Sequence, residues 1–390
     1  MKKILYTLLI LSTTIISAQG KKFFKSGEVQ LQNPVEKINL RYANDLPFVQ
    51  VSINGKPYNF LFDTGAPTVI STAVYTELKL GKKHKSNVKD SQKNKQEQIF
   101  TILPEMTVDK AVFKDVGAVV MDLSVSELSC FKIDGILGAN QMAKLFWKIN
   151  YSENSLEASK DLAQFNPADY DIVIPFTPRT QKTPVVETDL QGKKIDLTFD
   201  TGFSGRLKIA DNAYEPQKAS KSIEVYGTSS VGAYGAGKPA PGYIFRTASL
   251  SLGNKSFFNE LIATGGANLI GNDFFKNFVF ILDWFWNKIY MKRIRNESAR
   301  LESFGFGYRF IEAKPTVAFV FQEEDFPLKV GDAIISINNI NLDNLNKESA
   351  CHYFLNRVEN GQNSIDLKIR REGKELQVKL EKKEFLGVGV

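Results

Sequence analysis

Residues 46–71 read LPFVQVSINGKPYNFLFDTGAPTVIS, and residues 183–208 repeat the pattern as TPVVETDLQGKKIDLTFDTGFSGRLK. Aligned at a constant offset of 137 residues, the two copies share Pro, Val, Gly, Lys, Phe, Asp, Thr and Gly without a gap. In each copy, alternating apolar residues flank a turn at Gly55 or Gly192, which is typical of a β-hairpin. The repeat therefore predicts two hairpins, each of which leads into an Asp-Thr-Gly loop.

A second element is repeated behind each loop. An Ile-Leu-Gly triplet ends at Gly138 and a Leu-Ile-Gly triplet ends at Gly271, and each is followed by an apolar stretch that ends in a turn. Those stretches read FWKINYSENSLEA and VFILDWFWNKIYM. The shared order of elements predicts a mainly β fold with two similar lobes, residues 28–166 and residues 167–292.

The two Asp-Thr-Gly loops make Asp63 and Asp200 the candidate catalytic residues. Hydrolysis of an amide by water needs one group to accept a proton from the water and another to protonate the carbonyl oxygen. Two neighbouring carboxyl groups can do both, because like charges that close together cannot both ionise and the pair holds one proton. Such a pair titrates as a unit.

The residues beside each Asp suit the same task. Gly65 and Gly202 allow a tight loop that brings backbone N–H groups near the carboxylates, and the hydroxyls of Thr64 and Thr201 can lock the two loops together. A single Asp-Thr-Gly would be read as a turn, with Asp and Gly present for backbone reasons. Two copies in phase, each with the same flanking elements, favour the catalytic interpretation.

On these motifs the sequence resembles the retropepsin-like and pepsin-like aspartic peptidases, in particular bacterial exported forms with two fused lobes and a C-terminal PDZ domain. The resemblance implies an aspartic endopeptidase that uses an activated water, without a cofactor, on a protein or peptide substrate. It implies that Asp63 and Asp200 are the catalytic pair. The implied supporting residues are the interlocking Thr64 and Thr201, the loop glycines Gly65 and Gly202, and Gly138 and Gly271 beneath the loops.

Two positions depart from the family pattern. Pepsin-like enzymes usually place Ser or Thr directly after Asp-Thr-Gly, whereas this chain has Ala66 and Phe203. Loss of a hydroxyl that bonds to the charged carboxylate raises its pKa. We therefore expect activity nearer neutral pH, which an optimum below about pH 3.5 would contradict. Phe203 is also bulkier than the residues usual at this position, which argues against a standard substrate pose.

A hairpin that folds over the cleft is expected in the second lobe. Tyr226, Gly227 and Thr228 begin 26 residues after Asp200 and resemble the Tyr-Gly-Thr flap of pepsin-like enzymes, where the tyrosine belongs to the first lobe. The corresponding residues 82–98 are polar and charged and lack this signature. A solvated loop remains the alternative for both segments.

The chain changes character after the second lobe. Residues 293–303 predict a linker and residues 304–386 a small domain that resembles a PDZ domain, with a Gly-Asp turn and following strand in residues 328–338. The candidate loop for binding a peptide carboxylate is Phe304, Gly305, Phe306 and Gly307. A helix at residues 345–358 would form the other wall of the groove.

The ligand of that groove is left open. A C-terminal peptide of another protein is the expected partner. The chain's own residues 386–390 are a second candidate because they end in an apolar residue, although an ordinary frayed terminus is the favoured interpretation of these residues. An inactive groove is a third interpretation. A different function class also stays open: a catalytically silent peptidase fold that acts as a PDZ-based peptide-binding protein.

The N-terminus and composition set further expectations. Residues 1–18 have the build of a secretory signal peptide, so we expect export to the periplasm or beyond and no membrane span after cleavage. A net charge of +7 without an Arg-rich helix or basic-aromatic stripe argues against nucleic acid. Only two His and two Cys are present, which excludes His-rich and Cys-built metal sites. Cys130 and Cys351 lie 221 residues apart, and we expect two separate buried thiols.

Overall fold

A computed structural model describes residues 7–8, 22–82, 84–89, 95–124, 126–213, 215, 221–228, 230–232, 235–296 and 299–387. Strands hold 52% of the residues and helices 13%, so the expected mainly β class is confirmed. The predicted signal peptide lies outside the described residues except for Thr7–Leu8, a strand parallel to Ser230–Gly232. Among the described residues, no helix is long and apolar enough to cross a bilayer.

The first half, residues 28–166, is built from hairpins. Its strands are Glu28–Gln30, Val35–Ala43, Leu46–Ile53, Lys56–Asp63, Val69–Ser71, His84–Lys89, Lys95–Val108, Ala111–Met121, Gly135–Gly138, Phe146–Asn150 and Ser155–Ser159. Its α-helices are Thr72–Glu77 and Ala139–Met142, and its 3-10 helices are Ser126–Phe131, Tyr151–Glu153 and Leu162–Phe165.

The second half, residues 167–293, begins with a 3-10 turn at Pro167–Asp169. Its strands are Ile172–Pro175, Thr177–Pro178, Pro184–Leu190, Lys193–Phe199, Leu207–Ile209, Lys221–Gly227, Ser230–Gly232, Gly235–Ala236, Ala240–Arg246, Leu250–Leu252, Lys255–Phe257, Leu261–Thr264, Leu269–Ile270, Phe278–Asp283 and Lys288–Arg293. Its helices are the 3-10 helix Asp211–Ala213 and the α-helix Asn272–Phe275.

The repeated sequences form equivalent hairpins. Leu46–Ile53 pairs antiparallel with Lys56–Asp63, and Pro184–Leu190 pairs with Lys193–Phe199. Both turns need two residues at positive φ, which Asn-Gly supplies in the first half and Gln191-Gly192 in the second. The strands Gly135–Gly138 and Leu269–Ile270 then pair in parallel beside the second strand of their own hairpin.

The two halves share a sheet and a core. The apolar stretches identified in the sequence form the hairpins Phe146–Asn150/Ser155–Ser159 and Phe278–Asp283/Lys288–Arg293. Their first strands pair antiparallel across the halves, with Trp147 opposite Leu282. One hydrophobic cluster runs through both halves. Because this cluster is continuous, the two Asp-Thr-Gly loops are held on one rigid body.

Residues 301–387, the C-terminal module, have a hydrophobic core of their own. The strands are Leu301–Ser303, Phe306–Ile311, Lys314–Phe321, Ala333–Ile337, Ile340–Asn341, Ser364–Arg371, Lys374–Glu381 and Lys383–Phe385, and the helix is Lys347–Leu355. The expected linker is therefore partly regular structure, since Leu301–Ser303 pairs with Lys383–Phe385. The helix is also shorter than the predicted residues 345–358.

The expectation of two separate thiols is wrong. Cys130, in the 3-10 helix Ser126–Phe131, forms a disulfide with Cys351, in the helix Lys347–Leu355. The separation of 221 residues carried no information about distance, because the two cysteines meet only when the C-terminal module packs on the first half.

Candidate active site

Asp63 and Asp200 lie at equivalent points of the two halves. Asp63 ends the strand Lys56–Asp63, and Asp200 directly follows the strand Lys193–Phe199. Both are buried, with 0% and 2% of their surface exposed. Oδ1 of Asp63 accepts from the backbone N–H groups of Gly65 at 2.7 Å and Ala66 at 3.2 Å, and Oδ1 of Asp200 accepts from Gly202 at 2.9 Å.

Each loop glycine faces the carboxyl group of the other half. A β-carbon at Gly65 would lie 2.5 Å from Cγ of Asp200. A β-carbon at Gly202 would meet Cγ and Oδ2 of Asp63 at a still shorter distance. Such approaches are closed to any residue with a side chain, so glycine at both positions is what allows the two loops to meet. The structure thus brings Asp63 and Asp200 together, as the repeat predicted.

The pKa values of both carboxyl groups are raised. Burial, and then the negative charge of Asp200, raise the pKa of Asp63 well above its ordinary value. Burial also raises the pKa of Asp200, to about 7, although the hydrogen bond with Asp63, the Gly202 N–H and the Arg179 charge oppose the rise. Oδ2 of Asp63 receives no hydrogen bond from the other described groups. A proton on Asp63 that is donated to Asp200 fits both facts.

The threonines interlock across the halves, as the resemblance implied. The hydroxyl of Thr64 donates to the carbonyl of Phe199 at 2.6 Å, and that of Thr201 donates to Phe62 at 2.8 Å. Each threonine N–H donates to the hydroxyl of the other threonine at 3.0 Å. These four buried bonds fix the distance between the loops.

Thr201→Val should therefore destabilise the fold and reduce any activity of the site. Valine keeps the shape but leaves the Phe62 carbonyl and the Thr64 N–H buried without partners, at a cost of about 2–4 kcal/mol. Urea denaturation measures this loss, and Thr201→Ser, which keeps the hydroxyl, is the control. Equal stability of the Val and Ser variants would contradict the role assigned to the hydroxyl.

Gly138 and Gly271 lie against the chain that follows each loop. A β-carbon at Gly138 would clash with the Pro67 and Thr68 backbone, and one at Gly271 with Phe203. The next residue in each half donates its N–H at 2.8 Å, from Ala139 to the Ala66 carbonyl and from Asn272 to the Phe203 carbonyl. Ala66 and Phe203 therefore occupy equivalent places.

Phe203 does not project into solvent. Its side chain is fully buried and packs against Leu269, in the triplet that precedes Gly271. The packing of the second half thus accommodates the large side chain of Phe203, whose size had argued against a standard substrate pose.

Sequence reasoning missed Asn272, which links both halves at the site. Its Nδ2 donates to the carbonyls of Thr201 at 2.7 Å and Asp45 at 2.8 Å, and its Oδ1 accepts from the Tyr151 hydroxyl at 2.9 Å. The repeat gave no signal for it, because the residue that matches Asn272 in the first half is Ala139, and Asn140, which accepts from the Thr68 N–H at 2.7 Å, comes one position later.

Arg179 was also missed, because it lies outside the repeated motifs. Its charge lowers the pKa of Asp200.

The substitution Arg179→Met should therefore raise the pKa of Asp200. The acidic limb of the pH profile of kcat/KM should then move to higher pH by about half a unit or more. Arg179→Lys keeps the charge and is the control. An unshifted limb in the Met variant, or an equal shift in the Lys variant, would count against this electrostatic role.

The proposed flap residues lie at or just after the end of a hairpin strand. Tyr226 and Gly227 end the strand Lys221–Gly227, which pairs with Ala240–Arg246, and 41% of the surface of Tyr226 is exposed. Thr228 follows the strand and donates its N–H to the Ala318 carbonyl of the C-terminal module. Within the polar residues 82–98, the strand His84–Lys89 pairs antiparallel with the strand Lys95–Val108.

The expected carboxylate-binding loop of the module is packed inward. Phe304 and Phe306 are buried in the core of the module, and the Gly305 N–H donates to the Ser303 hydroxyl at 2.8 Å. A β-carbon at Gly307 would clash with the Phe319 ring.

The chain's own end, the alternative ligand, is described as far as residue 387. The Leu386 carbonyl accepts from Arg246 of the second half at 2.8 Å, and residues 388–390 lie outside the described part. Nowhere in the described ranges do three or more His, Cys, Asp or Glu side chains form a group that could hold a metal ion.

Comparison with known proteins supports the part of this site that belongs to the first half of the chain. Residues 49–141 match the family model described as Aspartyl protease. The matched stretch contains Asp63 and its flanking residues and ends just after Gly138, so it covers the first hairpin, loop and triplet. No curated protein matches the chain.

Proposed function

We propose that the chain is an aspartic endopeptidase in which Asp63 and Asp200 activate a water molecule for attack on a peptide carbonyl. One observation carries this proposal: two equivalent Asp-Thr-Gly loops face each other, and their buried carboxyl groups both have raised pKa values. The match of residues 49–141 to aspartyl proteases supports the same chemistry for the first loop.

The chemistry follows from a pair that shares one proton, which we assign to Asp63 because its Oδ2 receives no hydrogen bond from the other described groups. Ionised Asp200 takes a proton from water as general base, while protonated Asp63 gives its proton to the carbonyl oxygen as general acid. The oxygen of the water forms a bond to the carbonyl carbon and a neutral tetrahedral diol results. Asp200 then passes its proton to the leaving nitrogen, the C–N bond breaks, and one hydroxyl of the diol returns a proton to Asp63, so that the pair again holds one proton. No covalent bond to the protein is formed.

Activity near neutral pH is part of the proposal. One carboxyl group must be ionised and the other protonated, and the pKa of Asp200 is raised to about 7. Burial is the main cause of this rise in the pKa of Asp200. The absence of a hydroxyl at the position that follows Asp-Thr-Gly is not the main cause. Ala66 donates only its backbone N–H to Asp63 and has no side-chain donor.

The remaining assignments belong to the same proposal. Two fused lobes, an appended PDZ-like module, a protein or peptide substrate and export through residues 1–18 all agree with the repeat and the N-terminal sequence. The alternative, a silent protein that binds peptides in the groove of the module, has less support. The strand and helix that would form this groove already contact the first half through Arg309 and Cys351.

The direct test is hydrolysis of a peptide library by the protein without residues 1–18, from about pH 3 to 8, with a pepstatin-type inhibitor as probe of the pair. Cleavage that the inhibitor blocks, with an optimum above about pH 3.5, is the expected result. No cleavage at any pH and no binding of the inhibitor would overturn the proposal.

A further inference from the structure

Two hairpins at equivalent positions differ in what they contact. The strands His84–Lys89 and Lys221–Gly227 both begin 21 residues after the candidate catalytic Asp of their half. The first, with Lys95–Val108, forms the first-half hairpin, and the second, with Ala240–Arg246, forms the second-half hairpin. Lys221–Gly227 also pairs on its other side with the strand Lys314–Phe321 of the C-terminal module.

This pairing fixes the outer strand of the second-half hairpin. Val225 lies opposite Phe321 and Gly227 opposite Phe319 in an antiparallel ladder. The ladder is extended at both ends, because the Thr228 N–H donates to the Ala318 carbonyl and the Gln322 N–H donates to the Glu224 carbonyl, each at 2.8 Å. A strand that would otherwise be an edge is thus covered by the module.

The opposite side of the module is fastened to the first half. Beside the disulfide of Cys130 and Cys351, the Arg309 guanidinium donates to both carboxylate oxygens of Glu127 at 2.8 Å, and both side chains are buried. The Phe131 and Phe354 rings pack edge to face at 5.8 Å. All three contacts come from the 3-10 helix Ser126–Phe131, so the module spans from this helix to the second-half hairpin.

We propose that the C-terminal module is a brace that holds the second-half hairpin in position for substrate binding, and that Cys130–Cys351 and Glu127–Arg309 are its fastening to the first half. This inference rests on the proposed peptidase function, because the hairpin would be a wall of the substrate cleft. The fastening residues are positioning residues, since they act on substrate only through the hairpin.

The brace also explains why the module's expected groove is not an open peptide site. Its strand Phe306–Ile311 carries Arg309 and its helix Lys347–Leu355 carries Cys351 and Phe354, and these side chains all engage the first half. While the disulfide is intact, a peptide that needs these side chains must compete with a covalently linked segment of the same chain.

The test compares the oxidised protein with a Cys130→Ser/Cys351→Ser variant by amide hydrogen exchange and by peptide hydrolysis. Without the disulfide, amides of residues 222–228 and 318–322 should exchange about tenfold faster or more, since the ladder opens more often. KM should rise about tenfold with kcat within about twofold, because the hairpin acts on binding. The first-half hairpin is the internal control, and its exchange should not change.

Two controls keep the test decisive. Reduction of the wild-type protein should reproduce the faster exchange, which covers a variant that folds poorly, and the same reductant should leave the double variant unchanged. Unchanged exchange of residues 222–228 after reduction would overturn the brace, and so would a fall in kcat at constant KM. If no form hydrolyses peptides, the exchange result still decides whether the module braces the hairpin, and the proposed function fails separately.

Discussion

Asp63→Asn is expected to abolish peptide hydrolysis and, in the same protein, to raise the free energy of unfolding above neutral pH. Asparagine cannot supply the acid or base, so the proposed reaction stops. Asparagine has nearly the same shape as aspartate, and its Oδ1 still accepts from the Gly65 N–H in place of the carboxylate. It also removes one of two buried acids that face each other, and its amide can donate to Asp200.

The stability change has a definite pH range. The folded-state pKa of Asp200 is raised from 3.8 to about 7, and that of Asp63 is raised in the same direction. An acid with a raised folded-state pKa stabilises the fold fully below its unfolded pKa near 3.8, and this contribution is lost as the pH rises through about 7. The cost above pH 7 is on the order of 4 kcal/mol for a shift of about three units.

Urea denaturation at about pH 4 and pH 8 measures the effect. The wild-type protein should be less stable at the higher pH, and Asp63→Asn and Asp200→Asn should both reduce this difference. Asp283→Asn is the matched control for the loss of activity. Asp283 is also buried and has a raised pKa, but it caps a turn outside the site. That variant should keep its activity. An Asp63→Asn protein that still cleaves peptides would refute the catalytic pair.

The parts of the site that could be read from the sequence are those fixed locally. Asp63, Thr64 and Gly65 belong to a tripeptide whose backbone needs are met within a few residues, and the exact repeat in the second half implied that both loops do the same work. The interlock of Thr64 with Thr201 followed from that repeat, because two equivalent loops that face each other present the same groups to each other.

The contacts that sequence reasoning missed depend on docking between distant elements. The disulfide of Cys130 and Cys351 exists because the C-terminal module packs on the first half, and no local pattern reports that packing. The ion pair of Glu127 with Arg309 is hidden for the same reason, since a lone Glu and a lone Arg on separate elements carry no pairing signal. The pairing of the strand Lys221–Gly227 with Lys314–Phe321 was missed in the same way, because the motif at Tyr226 describes only its own hairpin.

Gly202→Ala should reduce activity about a hundredfold or more, the second of the largest effects expected for this protein. The added β-carbon would coincide with the space of the Asp63 carboxyl group, and neither the buried loop nor the buried carboxyl group can move aside freely. The two carboxyl groups must then separate, and a pair that no longer shares a proton cannot supply the one acid and one base on which the proposed reaction depends. The crowding should also cost about 1–3 kcal/mol of stability.

Gly81→Ala separates this effect from a general cost of replacing glycine. Nothing lies within 4 Å of a β-carbon at Gly81, so alanine there should leave both kcat/KM and the melting temperature near their wild-type values. Gly65→Ala should instead repeat the loss, because its β-carbon would press on Asp200 as that of residue 202 presses on Asp63. If Gly202→Ala kept its activity within about threefold, the carboxyl groups would not need the contact that glycine permits, and catalysis by the shared proton would be refuted.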